Sequence, residues 1–483
     1  MRAVFITEGK KDIGFGHITR CLGIAKAFEE RKVKTLLIVN GDKSILNLLN
    51  KESFKIIDWI NNEDKLFSIL KTDDIVIIDS YLADCRFYEK VSKLARLTVY
   101  IDDNNRLSYP KGIVINGNIY GSSLNYQKNK FSQYLLGPKY APLRKEFWDV
   151  SIKKINKKIK NILVTFGGDD KRNLTSKVLS LLQKNYPNIN TKFIIGKGFL
   201  NKSKLHKFKN SKTEFKYDPN TKQIKELMAN SDLVISASGQ TTLELLRLGI
   251  PTIIIKVAEN QANIAKALTE KHIVEYAGDW KDKSLFKRLG EKIKKLENYE
   301  ERKNISNLQK NIIDGQGARR IIKFIINDNL SKSLVLREAN IEDLTNVYKL
   351  SNEKFIRKNS LNQDQIIFKD HVNWFKEKIS NKNIYFVVAY LDNKLVGQVR
   401  FKIWGNLAVI SVSISNNFRG LGLGKHILMK SLIKLKHTHN FIKKINAVVK
   451  KSNKISQAFF LNNNFKIKQI KKDTILYTYN YDF

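Results

Sequence analysis

Met1-Arg2-Ala3-Val4-Phe5-Ile6-Thr7 is a short apolar run that stops at Glu8-Gly9-Lys10-Lys11, and Gly14-Phe15-Gly16-His17-Ile18-Thr19-Arg20-Cys21-Leu22 then leads into a helical pattern through Phe28. A buried strand, a glycine turn and a helix in that order open a doubly wound parallel sheet. The same alternation continues outward to about residue 325, with β-branched runs at 36–39, 75–78, 98–101, 162–166, 193–195, 233–235 and 252–255. Longer helical patterns separate them, the habit of strand-helix-strand units. A lysine-rich stretch at 151–160 divides the series. The expectation is α/β: two doubly wound Rossmann-like lobes, residues 1–150 and 151–330, with a cleft at the carboxyl ends of their strands.

The grammar changes after a last helix and a short polar connector. Leu334-Val335-Leu336-Arg337-Glu338-Ala339 starts a unit with helical stretches near 341–353 and 364–379, strands at 385–391, 395–404 and 408–414, and then a glycine turn and a helix. That order predicts an α+β domain with an antiparallel sheet over residues 334–483.

Composition limits the classes of function. A chain of 483 residues with 42% hydrophobic content holds several cores and is not a disordered tail. The formal charge of +41, from 87 Lys and Arg against 46 Asp and Glu, raises nucleic acid first. The lysines are scattered among Asn and Ile and form no basic stripe interleaved with aromatics, so a solvated surface is the reading and no nucleic-acid partner is expected. The positive field still favours capture of diphosphates. Cys21 and Cys85 lack zinc-site spacing and are too few for a disulfide framework. The first residues suit a strand and not a secretory signal, and no apolar run approaches the ~20 residues that cross a bilayer. A cytoplasmic location with no membrane partner and no metal is expected; oligomeric state is not legible.

Chemistry-bearing residues follow the strands. His17 sits at a helix N-terminus among Gly14 and Gly16, where amides and the dipole receive anions and a near-neutral pKa suits proton abstraction from water. A structural or capping role is the alternative. Asp79-Ser80-Tyr81 and Ile101-Asp102-Asp103-Asn104-Asn105-Arg106 end two further strands. In the second half, Phe166-Gly167-Gly168-Asp169 follows one strand, Ser236-Ala237-Ser238-Gly239-Gln240-Thr241-Thr242-Leu243-Glu244 opens a helix after another, and Glu259-Asn260-Gln261 reaches the same rim. Such a helix start places amides and hydroxyls on a diphosphate.

In their joint order these segments, with Arg20-Cys21, Leu136-Gly137-Pro138-Lys139-Tyr140 and Leu143-Arg144, make residues 1–325 resemble the UDP-2,4-diacetamido-2,4,6-trideoxy-β-L-altropyranose hydrolases of pseudaminic acid synthesis, relatives of two-lobed glycosyltransferases (glycosyltransferase-B-like). Ser238 and Gln240 stand where the family has Gly and Ser. The resemblance implies metal-independent cleavage of the anomeric C–O bond with release of UDP. It makes His17 the general base on water and Tyr81 a water-positioning partner. Substrate contacts would come from Gly16, Arg20, Asp103, Gly168, Ser236, Gly239, Thr241, Thr242, Glu244, Glu259, Asn260 and Gln261. Asp12 is a further candidate. For Glu244 a helix-internal charge is the alternative.

In the third unit a strand ends at Ile414, and Arg419-Gly420-Leu421-Gly422-Leu423-Gly424-Lys425 opens a helix. Glycines there clear side chains from a row of amides that holds a pyrophosphate. The spacing is not that of a dinucleotide fold; a plain capping turn is the bland alternative. Arg419, Gly422 and Gly424 fill the acyl-CoA signature of the GNAT superfamily of N-acetyltransferases, which the segment resembles. Asn453, Ala458, Phe460 and Asn464-Phe465 are similar to that family's second CoA segment, which usually has Tyr and Gly where Phe460 and Asn464 stand. If that Tyr protonates the leaving thiolate, Phe460 cannot. Acetyl-CoA as co-substrate follows, with contacts from Ile414 and residues 419–425, Asn453 and Phe460. His371, in Asp370-His371-Val372-Asn373-Trp374-Phe375, is a substrate-site candidate and a candidate base for the attacking amine, though its spacing beside two aromatics equally suits packing.

Residues 334–483 thus resemble the acetyltransferase acting on the 4-amino group of UDP-4-amino-4,6-dideoxy-N-acetyl-β-L-altrosamine, whose product the first half would hydrolyse. The same motifs leave two other readings open: a glycosyltransferase fused to an acetyltransferase, and a non-catalytic nucleotide-sugar or acyl-CoA sensor.

Overall fold

The computed structural model describes residues 2–10, 14–127, 130–168, 170–196, 198–199, 205, 208–360, 362–391, 393–420 and 422–481. The chain divides into two compact units, Met1–Ile322 and Lys323–Phe483, and the boundary falls inside the helix Gly317–Lys332.

The first unit holds two parallel sheets. One contains β1 (Arg2–Gly9), β2 (Lys34–Gly41), β3 (Phe54–Ile56), β4 (Ile75–Asp79), β5 (Leu97–Ile101), β6 (Gly112–Asn116) and β7 (Ser132–Leu136) in the order β3-β2-β1-β4-β5-β6-β7. The other contains β8 (Asn161–Thr165), β9 (Asn190–Ile195), β10 (Thr213–Tyr217), β11 (Leu233–Ala237), β12 (Thr252–Lys256) and β13 (Glu275–Asp279) in the order β10-β9-β8-β11-β12-β13. Each order reverses direction once, between β1 and β4 and between β8 and β11. A parallel doubly wound sheet opens its ligand crevice outside the strand carboxyl ends at such a reversal. The central strands are continuous hydrophobic runs because helices cover both faces: all five residues of β4 and of β11 are buried. The two Rossmann-like lobes expected from the alternation are present.

The second unit carries β14 (Val335–Glu338), β15 (Ile384–Leu391), β16 (Lys394–Trp404), β17 (Leu407–Ile414), β18 (Lys444–Lys450), β19 (Lys466–Ile470) and β20 (Thr474–Asn480), ordered β14-β15-β16-β17-β18-β20-β19. All neighbours are antiparallel except β17 and β18. That parallel pair is joined only where Leu407–Ile410 meets Lys444–Ala447, so β17 beyond Ile410 and β18 beyond Ala447 run on without each other. The main core lies on one face of this sheet, built from Val399, Phe401 and Ile403 of β16 against Leu423, Ile427 and Leu428 of the helix Leu423–Thr438. A smaller cluster on the other face joins Phe386 and Val388 to Val347 and Phe375. The helical stretch expected near 341–353 is a 3-10 turn, Ile341–Asp343, running into the helix Leu344–Ser351, and a further short helix, Lys354–Asn359, follows it.

Among the described residues no helix is long and apolar enough to cross a membrane, and no group of three or more His, Cys, Asp or Glu side chains is disposed to hold a metal ion.

Candidate active sites

In the first unit the reversal between β1 and β4 brings the sequence candidates together. The helix Gly16–Glu29 begins just after β1, with His17 in its first turn. The His17 Nδ1 lies 2.6 Å from Asp79 Oδ1 at the end of β4, and its ring meets Tyr81 edge-on, 4.7 Å between centroids. Arg20, one turn along, grips the same carboxylate from Nε at 2.8 Å and from Nη2 at 2.7 Å. Its Nη1 donates to Asp103 Oδ1 at 2.6 Å, and Tyr81 donates from its hydroxyl to Asp103 Oδ2 at 2.7 Å. Asn118 donates to Asp103 as well, and Glu8 of β1 accepts the Tyr81 backbone N–H at 2.6 Å. One chain of charge-assisted bonds therefore runs from His17 through Asp79 and Arg20 to Asp103 and Tyr81.

The electrostatics follow from that chain. Burial disfavours the imidazolium, but the Asp79 carboxylate overrides it and holds His17 above the ordinary histidine value. Burial would likewise raise Asp79 and Asp103, and Arg20 reverses both, keeping them below the usual carboxylate range. Burial and then the Asp103 charge push the Tyr81 phenol well up, so Tyr81 is a neutral hydroxyl. An imidazole with one nitrogen fixed by a buried carboxylate presents its other nitrogen as a proton acceptor.

The second lobe meets this cluster from across the cleft. A side chain at Gly168 would press on the Phe15 ring at 3.3 Å, so the loop after β8 approaches the turn that carries His17. A small pocket is lined by Arg20 and Asn118 on one side and Gln240 and Leu243 on the other. The helix Gln240–Leu248 points its N-terminus here, with Gly239 as its extended cap and Thr241 in its first turn. Helix geometry leaves first-turn amides without intrahelical partners. Ser236 and Thr242 are buried and donate to the Ala237 carbonyl, and Gln261 accepts from the Ser238 hydroxyl and from the Val257 backbone N–H. Glu244 is buried with both oxygens on Arg144, at 2.6 and 2.5 Å. Asn260 is exposed, and Glu259 pairs with Lys256 and Lys281 at the surface. Asp12 and Asp169 lie outside the described residues.

Sequence reasoning quoted Asp79 as a strand end but gave it no role, and it passed over Glu8 and Asn118. A carboxylate at the carboxyl end of a central strand was the available signal for Asp79. Nothing local marked Asn118, whose role depends on β5 and β6 lying side by side.

In the second unit the glycine turn lies between β17 and the helix Leu423–Thr438. Gly422 caps that helix at φ +79°, and a Cβ there would meet the Asn327 side chain at 2.9 Å; one at Gly424 would meet the Phe459 ring at 3.2 Å. Gly420 also has a positive φ, and Lys425 is exposed in the first turn; Leu421 lies outside the described residues. Arg419 closes the turn, donating to the Ile414 carbonyl at 2.7 Å and to Glu353 at 2.8 Å. Glu353, which the sequence did not reveal, also accepts from Ser415 Oγ and Asn416 N. Asn453 caps the helix Lys454–Leu461 through Ser456 N. Phe460 is a core residue, stacked on Tyr477 and edge-on to Phe465. Asn464 takes φ +66°, a left-handed conformation that favours glycine and that Asn tolerates. The first-turn amides of the helix Leu423–Thr438 lack intrahelical partners, an arrangement that can receive an anion. His371 is 1% exposed, packed against Trp374 and Phe375, and burial lowers its pKa.

Two family models match the chain. Residues 161–323 match the glycosyltransferase family 28 C-terminal domain, and residues 344–465 match the acetyltransferase (GNAT) family. The chain is 27% identical over 450 residues to an uncharacterized protein of Methanocaldococcus jannaschii, covering 89% of this chain and 87% of that one. It is 25% identical over 287 residues to the UDP-2,4-diacetamido-2,4,6-trideoxy-beta-L-altropyranose hydrolase of Campylobacter jejuni, 57% of this chain and 99% of the relative. A Helicobacter pylori protein named pseudaminic acid cytidylyltransferase and UDP-2,4-diacetamido-2,4,6-trideoxy-beta-L-altropyranose hydrolase is 27% identical over 252 residues, 51% of this chain and 43% of its own length. The C-terminal part of the chain thus contains a domain that matches the GNAT family model, and the N-terminal part is similar to proteins named as nucleotide-sugar hydrolases.

Proposed function

We propose that the chain carries two consecutive steps on one UDP-sugar. In this reading residues 334–483 transfer acetyl from acetyl-CoA to the 4-amino group of UDP-4-amino-4,6-dideoxy-N-acetyl-β-L-altrosamine. Residues 1–150 and 151–330 are the two lobes that hydrolyse the diacetamido product to free sugar and UDP. The observation that carries the hydrolase half is the His17–Asp79 pair beside Tyr81 at the reversal of a doubly wound sheet, facing a helix N-terminus across the cleft. His17 takes a proton from water, the water oxygen bonds to the anomeric carbon, and the bond from that carbon to the diphosphate oxygen breaks. The departing charge is met by the first-turn amides of Gln240–Leu248 and by Arg20. In the acetyltransferase half, amides at Gly422–Lys425 receive the CoA pyrophosphate; the neutral amine nitrogen bonds to the thioester carbonyl carbon, the C–S bond breaks, and the nitrogen's surplus proton passes to solvent or to the departing thiolate. With Phe460 in the core, positioning and the leaving ability of the thiolate carry that step.

The match of residues 161–323 to a glycosyltransferase domain supports a second reading, transfer of the sugar to an acceptor hydroxyl with the same base. UDP release without any acceptor separates the two. Purified protein is incubated with acetyl-CoA and the UDP-amino sugar, and CoA, UDP-sugar and UDP are followed by mass spectrometry. Wild type releases CoA and then UDP, His17→Ala stops after acetylation, and Gly422→Trp stops before it. No thiol and no UDP from wild type rejects the pathway assignment.

A further inference from the structure

A second cluster of groups lies in the acetyltransferase unit on the sheet face opposite the main core. Side chains of β16 alternate, so Val399, Phe401 and Ile403 enter the main core while Gln398 and Arg400 take the other face. There Arg400 stands across from Phe386 of β15 and Ser411 of β17, and Gln398 across from Val388 and Ser413. The Arg400 guanidinium stacks over Trp374 at 4.6 Å and lies 5.7 Å from the Phe386 ring. Among the described residues it has no carboxylate and no hydrogen-bond acceptor, and burial pulls its pKa down to about 10. Its N–H donors are thus left to solvent or to a ligand, with the guanidinium half-buried against the Trp374 ring.

Two more polar atoms on this face are unpaired. His371 Nε2 has no partner although the residue is 1% exposed, and Gln398 Oε1 has none at 6% exposure. The His371 ring packs on Trp374, 5.1 Å between centroids, and the Arg400 charge adds to the burial that keeps it neutral. Ser411, next to Arg400, is exposed, so the cluster opens to solvent on that side. A cation without a counter-ion and two acceptors without donors describe a site complementary to an anion that also offers N–H or O–H groups. The CoA pyrophosphate is not that anion, because the glycine turn leads into Leu423 on the opposite, main-core face.

We propose that Arg400, with Gln398 and His371 beside it, is the acceptor site of the acetyltransferase unit and binds a phosphate or carboxylate carried by the amine substrate. This rests on the acetyltransferase reading of the unit, and for a UDP-sugar acceptor the anion is the diphosphate.

Binding is read first, without turnover. UDP and acetate are titrated separately into the full chain, and Trp374 fluorescence is taken as the difference between wild type and Trp374→Phe, which removes any signal from UDP bound in the other unit. A saturable change with UDP, abolished in Arg400→Gln and partly kept in Arg400→Lys, is the expected result. The same pattern with acetate alone assigns a carboxylate as the source. No Trp374 response to either, or a response unchanged in Arg400→Gln, overturns the proposal. CoA release is then measured with the UDP-amino sugar: Arg400→Gln is expected to raise the KM for the sugar tenfold or more with the KM for acetyl-CoA unchanged, and an unchanged sugar KM overturns the proposal. A wild type that binds UDP through Arg400 yet releases no CoA from this sugar rejects the assigned acceptor and leaves the anion site standing.

Discussion

Asp79 is the residue on which the proposed hydrolase site turns, because one carboxylate engages His17, receives two donors from Arg20 and is itself almost fully buried. In the proposed reaction it orients His17, and its charge raises the pKa of that ring. The proposed hydrolysis needs His17 neutral, so activity is expected to rise with pH through the His17 pKa, which Asp79 holds above the ordinary value. Asp79→Asn removes the largest raising influence and leaves burial and the Arg20 charge, which lower the pKa, opposed only by Glu8. The acidic limb of the kcat/KM profile for UDP release therefore moves to lower pH, while the maximum falls by about 100-fold because the ring loses its fixed orientation. A limb that stays in place would show that another group titrates. His17 and Tyr81 were legible in the sequence as polar residues after strands. The bond to Asp79 was not, since 62 positions separate the pair and only the β1–β4 pairing closes that gap.

Among the elements, the helix Leu423–Thr438 shows how a turn sets a site. Gly422 caps it in a left-handed conformation with the Asn327 side chain where a Cβ would stand. Gly422→Ala combines a φ that disfavours a side chain by roughly 1–2 kcal/mol with that close contact. The expected outcome is a KM for acetyl-CoA raised about tenfold, with UDP release from preformed diacetamido substrate unaltered; assaying the two half-reactions separately checks both. The turn and helix were readable from three alternating glycines. The edge strands β3, with two of its three residues exposed, and β10, which alternates weakly, gave no apolar run to read. The strand β18 was missed too, and with it the divergence from β17, because parallel pairing over four residues is a property of two segments more than 30 positions apart.

At the scale of the whole molecule, the first unit depends on contacts between its lobes. The Arg144–Glu244 pair, 3% exposed on the carboxylate side, ties the segment leaving the first lobe to the helix that faces the cleft. Removing one partner of a buried pair strands the other, so Arg144→Met is expected to destabilise the first unit by about 3 kcal/mol. Pairing it with Glu244→Met should recover most of that loss, as thermal unfolding of the single and double variants will show. An undiminished melting temperature in Arg144→Met would mean that the pair contributes nothing. The sequence by itself determined the architecture and the location of both candidate sites, because buried parallel strands are continuous apolar runs, and because glycines and polar residues after strands stay visible whatever lies around them. The tertiary structure alone decided the partners. It placed Glu244 on Arg144, Phe460 in the core, and Arg400 without a counter-ion beneath Trp374. Such pairings depend on which strands become neighbours and which faces become buried, and burial is what makes a charge, paired or unpaired, matter.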